Sequence, residues 1–547
     1  MSVIPTIAAD GVGVVAAGQL NAYLVSAPNT ATLRALTGQT GMTAYLQGIN
    51  VPNDGGQGAF YWNYASVAPD DNFNTIVPYG SVYGAWARLT NVVAFPTGTA
   101  GYAYTGNGTS SAATFQGFTQ NGTGAVTRTW QAKAADFISV KDFGAIGDGV
   151  TDDTSAIQKA INYAATYTPG GAVFLPSGTY KISAALGVPP GASMTIYGSG
   201  PGATSIKQTS TTANGITFFN SSSVSLLGGG VYNLTIYCAS YSSGIGLYLQ
   251  KLNDYFNFSN LVVYNFSTGI SLDECFNTIW SNFTVRAASS AAIAIGINNS
   301  LNPGGGNSFV NFFLDNGGTG ASGNGSGILI KKTGGDFFTN GNITSFSNGV
   351  ALVCSGVTNP DSTIPQINHA NFVQTWFDTC SYAGVLIDGT LGYGIANVCF
   401  ARCAAAYSGN VGIAATGNIN SFVWSEGQLT ENVYQGASFT ATGSYTQTNI
   451  SFPGGTVIAG NGRNGAVGIS AAGIITSGAV QLTVLNNAFG NAGTAYLTQT
   501  NAMVFGTGLT WVKMGNNTIH TNSGAAAYIN SSSYTIPTAD SSSNLVY

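Results

Sequence analysis

Short runs in which apolar and polar positions alternate recur along most of the chain, each broken by Gly or Asn. In "NLVVYNFSTGISL" (260–272) and "NGNITSFSNGVAL" (340–352), Asn260 aligns with Asn340, Val263 with Ile343, Phe266 with Phe346, Gly269 with Gly349 and Ile270 with Val350. Fainter copies begin at 282, 311, 372, 397 and 427, roughly 20–30 residues apart, the interval of a coiling solenoid. Each copy is a short alternating strand, a turn, and a second apolar strand. One such unit cannot bury its inner face; stacked units can, each hydrogen-bonded to the next about 4.8 Å away. The pattern predicts an all-β chain whose body, residues 137–500, is a parallel β-helix.

One segment breaks the alternation. "DDTSAIQKAINYAATY" carries Ala156, Ile157, Ala160, Ile161 and Ala164 at helical spacing, predicting a helix at about 153–165. Asp152 and Asp153 suit its N-cap, and Ser155 with Gln158 has capping-box spacing. "GGAVFLPSGTYKIS" (170–183) then reads strand, turn, strand. A solenoid's open end exposes core and unpaired backbone, so the helix is expected to be its lid. The charges of "VKDFGAIGDGVTDDTSAIQKAI" (140–161) are read as capping and turn residues, because their spacing fails the calcium-loop pattern.

Flanking regions differ. Residues 1–95 hold short aromatic strands between turns, as in "DGGQGAFYWN" and "GAWARL", and form a separate N-terminal module. Residues 96–136 are rich in Gly, Thr and Ser and are expected to be a linker or neck. Residues 501–547 are strand-like and are expected to be a short β-rich end that could trimerise.

Composition narrows the function. Only 6% of the 547 residues are charged, with 75 glycines and a formal charge of −5. Stacked coils explain the scarcity: like charges would repel in columns, whereas Asn, Ser and Thr can form ladders. No basic stripe suits nucleic acid, and no apolar run approaches membrane-spanning length. The N-terminus lacks the basic start and apolar core of a secretory signal. The six cysteines read as buried thiols of a protein folded in the cytoplasm, with Cys380 and Cys403 expected at matching inward positions of adjacent coils. Neither a metal site nor a cofactor motif is found.

"VKDFGAIGDGVTDDTSAIQKAI…GGAVFLPSGTYKIS" closely resembles the opening signature of the pectate-lyase-like, right-handed β-helix superfamily of bacteriophage tailspikes and capsule depolymerases. "GTGAVTRTWQAKAADFISV" (122–140) resembles the lead-in of phage tail proteins, and "DGGQGAFYWN…DDNFNTIVP…GAWARL" a small virion-side module. The resemblance covers 30–90 and 122–183 by motif and 184–500 by architecture. It implies a homotrimeric tailspike in the phage virion, made in the host cytoplasm. It would be attached to a tail or baseplate protein through its N-terminal module and would bind bacterial surface polysaccharide. Members of the family hydrolyse, eliminate, deacetylate or only bind, so the chemistry has to come from the residues.

Hydrolysis of a glycosidic bond needs two carboxylates. The repeat register lines up Tyr264, Arg286, Asp315, Thr344, Asp378, Ala401 and Thr430 on the outside of the coils. Asp315 and Asp378 are the first candidate catalytic pair, two coils and about 9–10 Å apart. Glu426 and Glu431 in "WSEGQLTEN" are the second, with Arg402 matched to Glu431 as a possible cross-coil ion pair. Trp376 and Trp424 are candidate sugar platforms, and Tyr264, Arg286 and Arg402 candidate substrate contacts. The expected activity is polysaccharide depolymerisation, hydrolysis before elimination. A non-catalytic fibre or adhesin and a polysaccharide lyase on the same fold stay open.

Overall fold

Alternating burial along the strands dictates the architecture. A computed structural model describes residues 14–16, 23–88 and 119–546, apart from isolated positions between 37 and 72, residue 442, and the segments 168–169, 221–227, 297–303, 318–324, 355–365, 392–393, 464–470, 491–498, 521–527 and 531–543. The chain divides after Asp136 into two units; of the expected linker at 96–136, residues 96–118 lie outside the described residues.

In the N-terminal unit a sheet runs in the order Val14–Ala16, Tyr23–Ala27, Thr43–Leu46, Gly58–Asn63, Ala85–Arg88, Thr75–Ile76. Its core gathers Val25, Leu33, Leu46, Phe60, Ile76 and Trp86. Arg34 pairs with Asp70, and Arg88 lies between the rings of Phe60 and Phe73.

From Phe137 onward the strands pair in parallel as coils of a right-handed solenoid. Each coil has three faces, and the same inward position recurs on each. The first face stacks Phe258, Trp280, Phe309, Phe338, Phe372, Phe400 and Trp424. The second stacks Val263, Val285, Leu314, Ile343, Phe377, Ala405 and Leu429. Ile270, Ile293, Ile328, Val350, Val385, Ile413 and Ala437 repeat on the third. The aromatic rings follow one another at centroid distances of 4.1 to 5.8 Å, an arrangement that lets each ring bury both faces.

Single left-handed residues make the bends. Between the first and second faces these are Asn233, Asn260, Asn282, Asn311 and Asn340, then Gln374, Arg402 and Glu426. Asn tolerates positive φ and its amide can bond along the axis: Asn260 donates to Asn233 at 2.9 Å and Asn311 to Asn282 at 3.2 Å.

The helix Thr154–Ala164 buries Ile157, Ala160, Ile161 and Ala164 of the predicted stripe, with Ala156 partly buried. Its N-cap is Asp153, and the Ser155–Gln158 capping box does not form: Gln158 reaches across to Gly187 instead. The capping box of this region falls on Ser139 and Asp142. The thiol ladder also fails, because Cys380 follows the second face whereas Cys403 precedes it. Past residue 500 the pairing does not change: Asn501–Phe505, Trp511–Gly515, Thr518–Ile519, Tyr528–Asn530 and Leu545–Val546 continue the coils. The described part of the expected C-terminal end is therefore more of the solenoid.

Candidate functional site

The outside of the second face brings the candidate residues together. Inward Val263 to Leu429 fix the alternation, so their neighbours point outward. One outward column reads Lys181, Lys207, Tyr237, Tyr264, Arg286, Asp315, Thr344, Asp378, Ala406 and Thr430. The order expected from the sequence holds from Tyr264 to Asp378. It then passes through Ala406, not Ala401, which lies on the first face between Val373 and Ser425. A parallel column carries Phe313, Asn342, Trp376, Ala404 and Gln428.

Chemistry changes along this surface. Tyr237 and Tyr264 stack at 4.9 Å, and burial raises the pKa of both hydroxyls from 10.0. Arg286 is exposed and makes no ion pair among the described residues; its guanidinium lies 5.9 Å from the Phe313 ring centroid. Asp315, one coil on, accepts from the backbone N–H of Gly317 at 2.9 Å. Thr344 fills the next position, its hydroxyl 2.8 Å from that of Thr379.

Asp378 occupies the position after Thr344. Its Oδ1 is buried with no hydrogen-bond partner, and two residues before it Trp376 stands 53% exposed. The next coil offers only Ala404 and Ala406 at the corresponding outward positions. Their short side chains leave a shallow recess between the Trp376–Asp378 coil and the Gln428–Thr430 coil, its alanines nearly covered by their neighbours at 4% and 7% exposure. Glu431 adjoins Thr430 in the bend after the second face, nearly buried. A β-carbon on Gly460 would strike the Glu431 carboxylate, so glycine there makes its room. Two strand spacings separate Asp378 from the Glu431 coil, and two separate it from Asp315, so each pair is about 10 Å apart along the axis.

Two expectations need correction. Trp424 is fully buried in the first face's inward stack, against Phe400 at 5.2 Å. The register carries the stack on to buried Phe452 in the next coil, so Trp424 is core and cannot meet a sugar from the surface. Arg402 pairs with Glu426, not Glu431: its Nε lies 2.8 Å from Oε2. Both occupy the bend column that asparagines hold lower down, and both are more than half exposed, so the pair stands at the rim of the recess and Glu431 across it.

Sequence reasoning missed Ala404, Ala406, Tyr407 and Arg463. An alanine run offers no chemical signal, and Tyr407 sits at φ +53, which no pattern of polarity reveals.

The described residues contain no cluster of three metal-ligating side chains and no helix long and apolar enough to cross a membrane. Comparison with known proteins agrees with the fold. Residues 137–395 match the family described as rhamnogalacturonase A/epimerase, pectate lyase-like, and residues 26–91 the phage tail protein small four-stranded beta-sheet domain. Tailspike protein 3 of bacteriophage CBA120 is similar in structure, with a TM-score of 0.54 and 13% identity, covering 98% of this chain and 83% of that one. The catalytic unit of a GH87 alpha-1,3-glucanase from Streptomyces thermodiastaticus superposes with a TM-score of 0.50 and 14% identity over 73% of this chain and 70% of that one. At these identities the likeness is one of fold. Mannuronan C5-epimerase AlgE5 of Azotobacter vinelandii is 62% identical over 45 residues, 8% of this chain and 4% of the epimerase. That match spans a small fraction of the relative's length.

Proposed function

We propose that this chain is a phage tailspike that binds bacterial surface polysaccharide along the outside of the second face and hydrolyses its glycosidic bonds in the recess beyond Asp378. One observation carries this reading. A carboxylate with an undonated buried oxygen, Asp378, stands beside an exposed indole, Trp376, at a shallow recess over the small residues Ala404 and Ala406, with a second carboxylate, Glu431, in the bend one coil beyond. A pyranose presents an apolar ring face, which an exposed indole can cover, and hydroxyls for the polar positions around it. Two carboxyls on the order of 10 Å apart leave room for a sugar and a water, the arrangement of inverting hydrolysis. One acts as acid on the leaving oxygen and the other as base on the water. Asp315, Arg286, Tyr264 and Arg402 extend the binding surface on either side, and no cofactor is required.

The phage-tail domain at 26–91 supports attachment to a tail or baseplate protein and residence in the virion. Three copies complete the proposal. Ile279 and Phe337, 46% and 49% exposed on the outside of the first face, would be covered by a neighbouring copy; light scattering should return three times the chain mass.

The test is incubation of the purified protein with surface polysaccharide from the bacterium to which it adsorbs, followed by sizing of the products. Oligosaccharides with reducing ends and no ultraviolet-absorbing double bond support hydrolysis. Unsaturated products would replace it with elimination, and bound but intact polymer with adhesion.

A further inference from the structure

The bend column after the second face holds left-handed residues at Asn265, Ala287, Ser345, Thr379, Tyr407, Glu431 and Gly460. Asn265 and Gly460 suit this backbone, whereas the β-branched Thr379 and the bulky Tyr407 are outliers at positive φ, Tyr407 being the only aromatic of the column. Tyr407 also gains little burial in return, since it stays 46% exposed. It stands on the coil of Ala404 and Ala406, one coil past Trp376, and so at the edge of the recess.

A cation accompanies it. The Arg463 guanidinium lies over the Tyr407 ring, 5.3 Å from its centroid, and forms no ion pair among the described residues. Yet Arg463 is anchored close to a carboxylate: its backbone N–H donates to the carbonyl of Asn432, the residue after Glu431, at 3.2 Å. An aromatic face holds a guanidinium in place while leaving its in-plane N–H groups available. Such a fork matches the oxygens of a carboxylate or a phosphate.

We propose that Tyr407 and Arg463 form a specificity subsite for a sugar unit bearing an anionic group, the guanidinium pairing with the anion and Tyr407 fixing the guanidinium. This rests on the recess being the polysaccharide site, and it adds which polysaccharides enter. Neutral polymers lack the partner that would repay desolvation of Arg463.

Binding of full-length protein is measured to polysaccharide from the adsorbing bacterium in three forms: native, carbodiimide-reduced so that carboxylates become alcohols, and stripped of phosphate with hydrofluoric acid. Arg463→Gln should bind the native polymer about tenfold more weakly than wild type, the loss of one charged hydrogen-bonded contact. It should match wild type on whichever treated form has lost the anion, and that form names carboxylate or phosphate. Tyr407→Gly should show a similar loss while melting no lower than wild type, because glycine relieves the left-handed backbone. Native-polymer binding unchanged in Arg463→Gln, or weakened equally on all three forms, overturns the subsite. So does wild-type binding that neither treatment lowers. Failure of wild type to bind the native polymer at all is a different result: it removes the recess as a polysaccharide site, and the subsite with it.

Discussion

The aspartates of the capping region and those of the second face sit on one solenoid but differ in how many donors they receive. In the cap, Asp153 accepts the backbone N–H groups of Ile146 at 2.7 Å and Gly147 at 3.0 Å. Asp148 accepts those of Val150 and Thr151 and the Thr151 hydroxyl. Asp152 takes the Thr154 amide and the hydroxyls of Thr154 and Ser183. On the second face Asp315 receives one amide, and Asp378 keeps a buried oxygen with none. Acids that hold a fold together use up their hydrogen-bonding capacity; acids that meet a ligand keep some in reserve. The densest charge in the sequence therefore marks architecture, and the sparse charge marks the candidate chemistry.

The contrast breaks most decisively at Asp378. Asp378→Asn removes the charge but not the shape, and hydrolysis should fall by about a thousandfold or more, equivalent to roughly 4 kcal/mol of activation free energy. Its melting temperature should stay within a degree or two of wild type. Glu431→Gln should do the same, while Asp315→Asn should act mainly on binding. If Asp315→Asn abolishes turnover and Glu431→Gln does not, the acting pair straddles Thr344 and lies on the near side of Trp376.

Asp153→Ala tests the other half. It strands two backbone N–H groups in a site where the residue is 1% exposed, and it should cost about 2–3 kcal/mol of stability. Calorimetry should show the loss, and turnover per folded molecule should not change. Reduced turnover at full folding would mean the cap contributes to the site.

Much of this division was legible in the sequence, and the failures share a cause. The cap helix, the solenoid and the column from Tyr264 to Asp378 followed from periodicity, because packed inward positions recur at every coil. The register slipped at Asn397, which aligned with the bend asparagines Asn260 and Asn340. Asn397 is left-handed, but it belongs to a separate column with His369, Ser421 and Asn449 inside the first face. The true bend residues in the following coils are Arg402 and Glu426, which do not look like turn formers. That one substitution of roles produced Ala401 for Ala406, Glu431 for Glu426 as the Arg402 partner, and the false match of Cys380 with Cys403. Trp424 was misread for a related reason, since an inward and an outward indole look alike without a register.

Trp376→Ala sharpens the functional side with a smaller effect. Losing the exposed ring should weaken polysaccharide binding about tenfold, roughly 1.4 kcal/mol, with stability unchanged. Unaltered binding would leave the recess without its platform.

Acid should act on the cap first. Hydroxyl donation from Ser183 and Thr154 lowers the Asp152 pKa, and the amides of Val150 and Thr151 lower that of Asp148, both from 3.8. A carboxyl with a lowered folded-state pKa stabilises above its unfolded value, and the gain is lost as pH falls through the folded one. Cap stability should therefore be level above about pH 5 and decline below about pH 4. Hydrogen exchange in Thr154–Ala164 should report the decline. Both groups are largely exposed, so the change is modest, and protection relative to the intrinsic exchange rate that stays flat from pH 5 to pH 3 would deny them a structural role.

Arg402 and Glu426 provide the finest division, because they occupy a structural column at the edge of the functional surface. Below them the column is an asparagine ladder; here it is an exposed ion pair, worth well under about 1 kcal/mol in water and weaker still in salt. Replacing both by asparagine restores the residue best suited to the left-handed backbone and to axial amide bonding. If the pair only closes a bend, Arg402→Asn/Glu426→Asn should melt at the wild-type temperature or slightly higher, lose any salt dependence of melting, and retain turnover. If instead turnover or binding drops tenfold while the melting temperature holds, the exchange of ladder for ion pair serves the substrate. The functional surface would then extend around the bend onto the first face, where Val373, Ala401 and Ser425 form the next outward column.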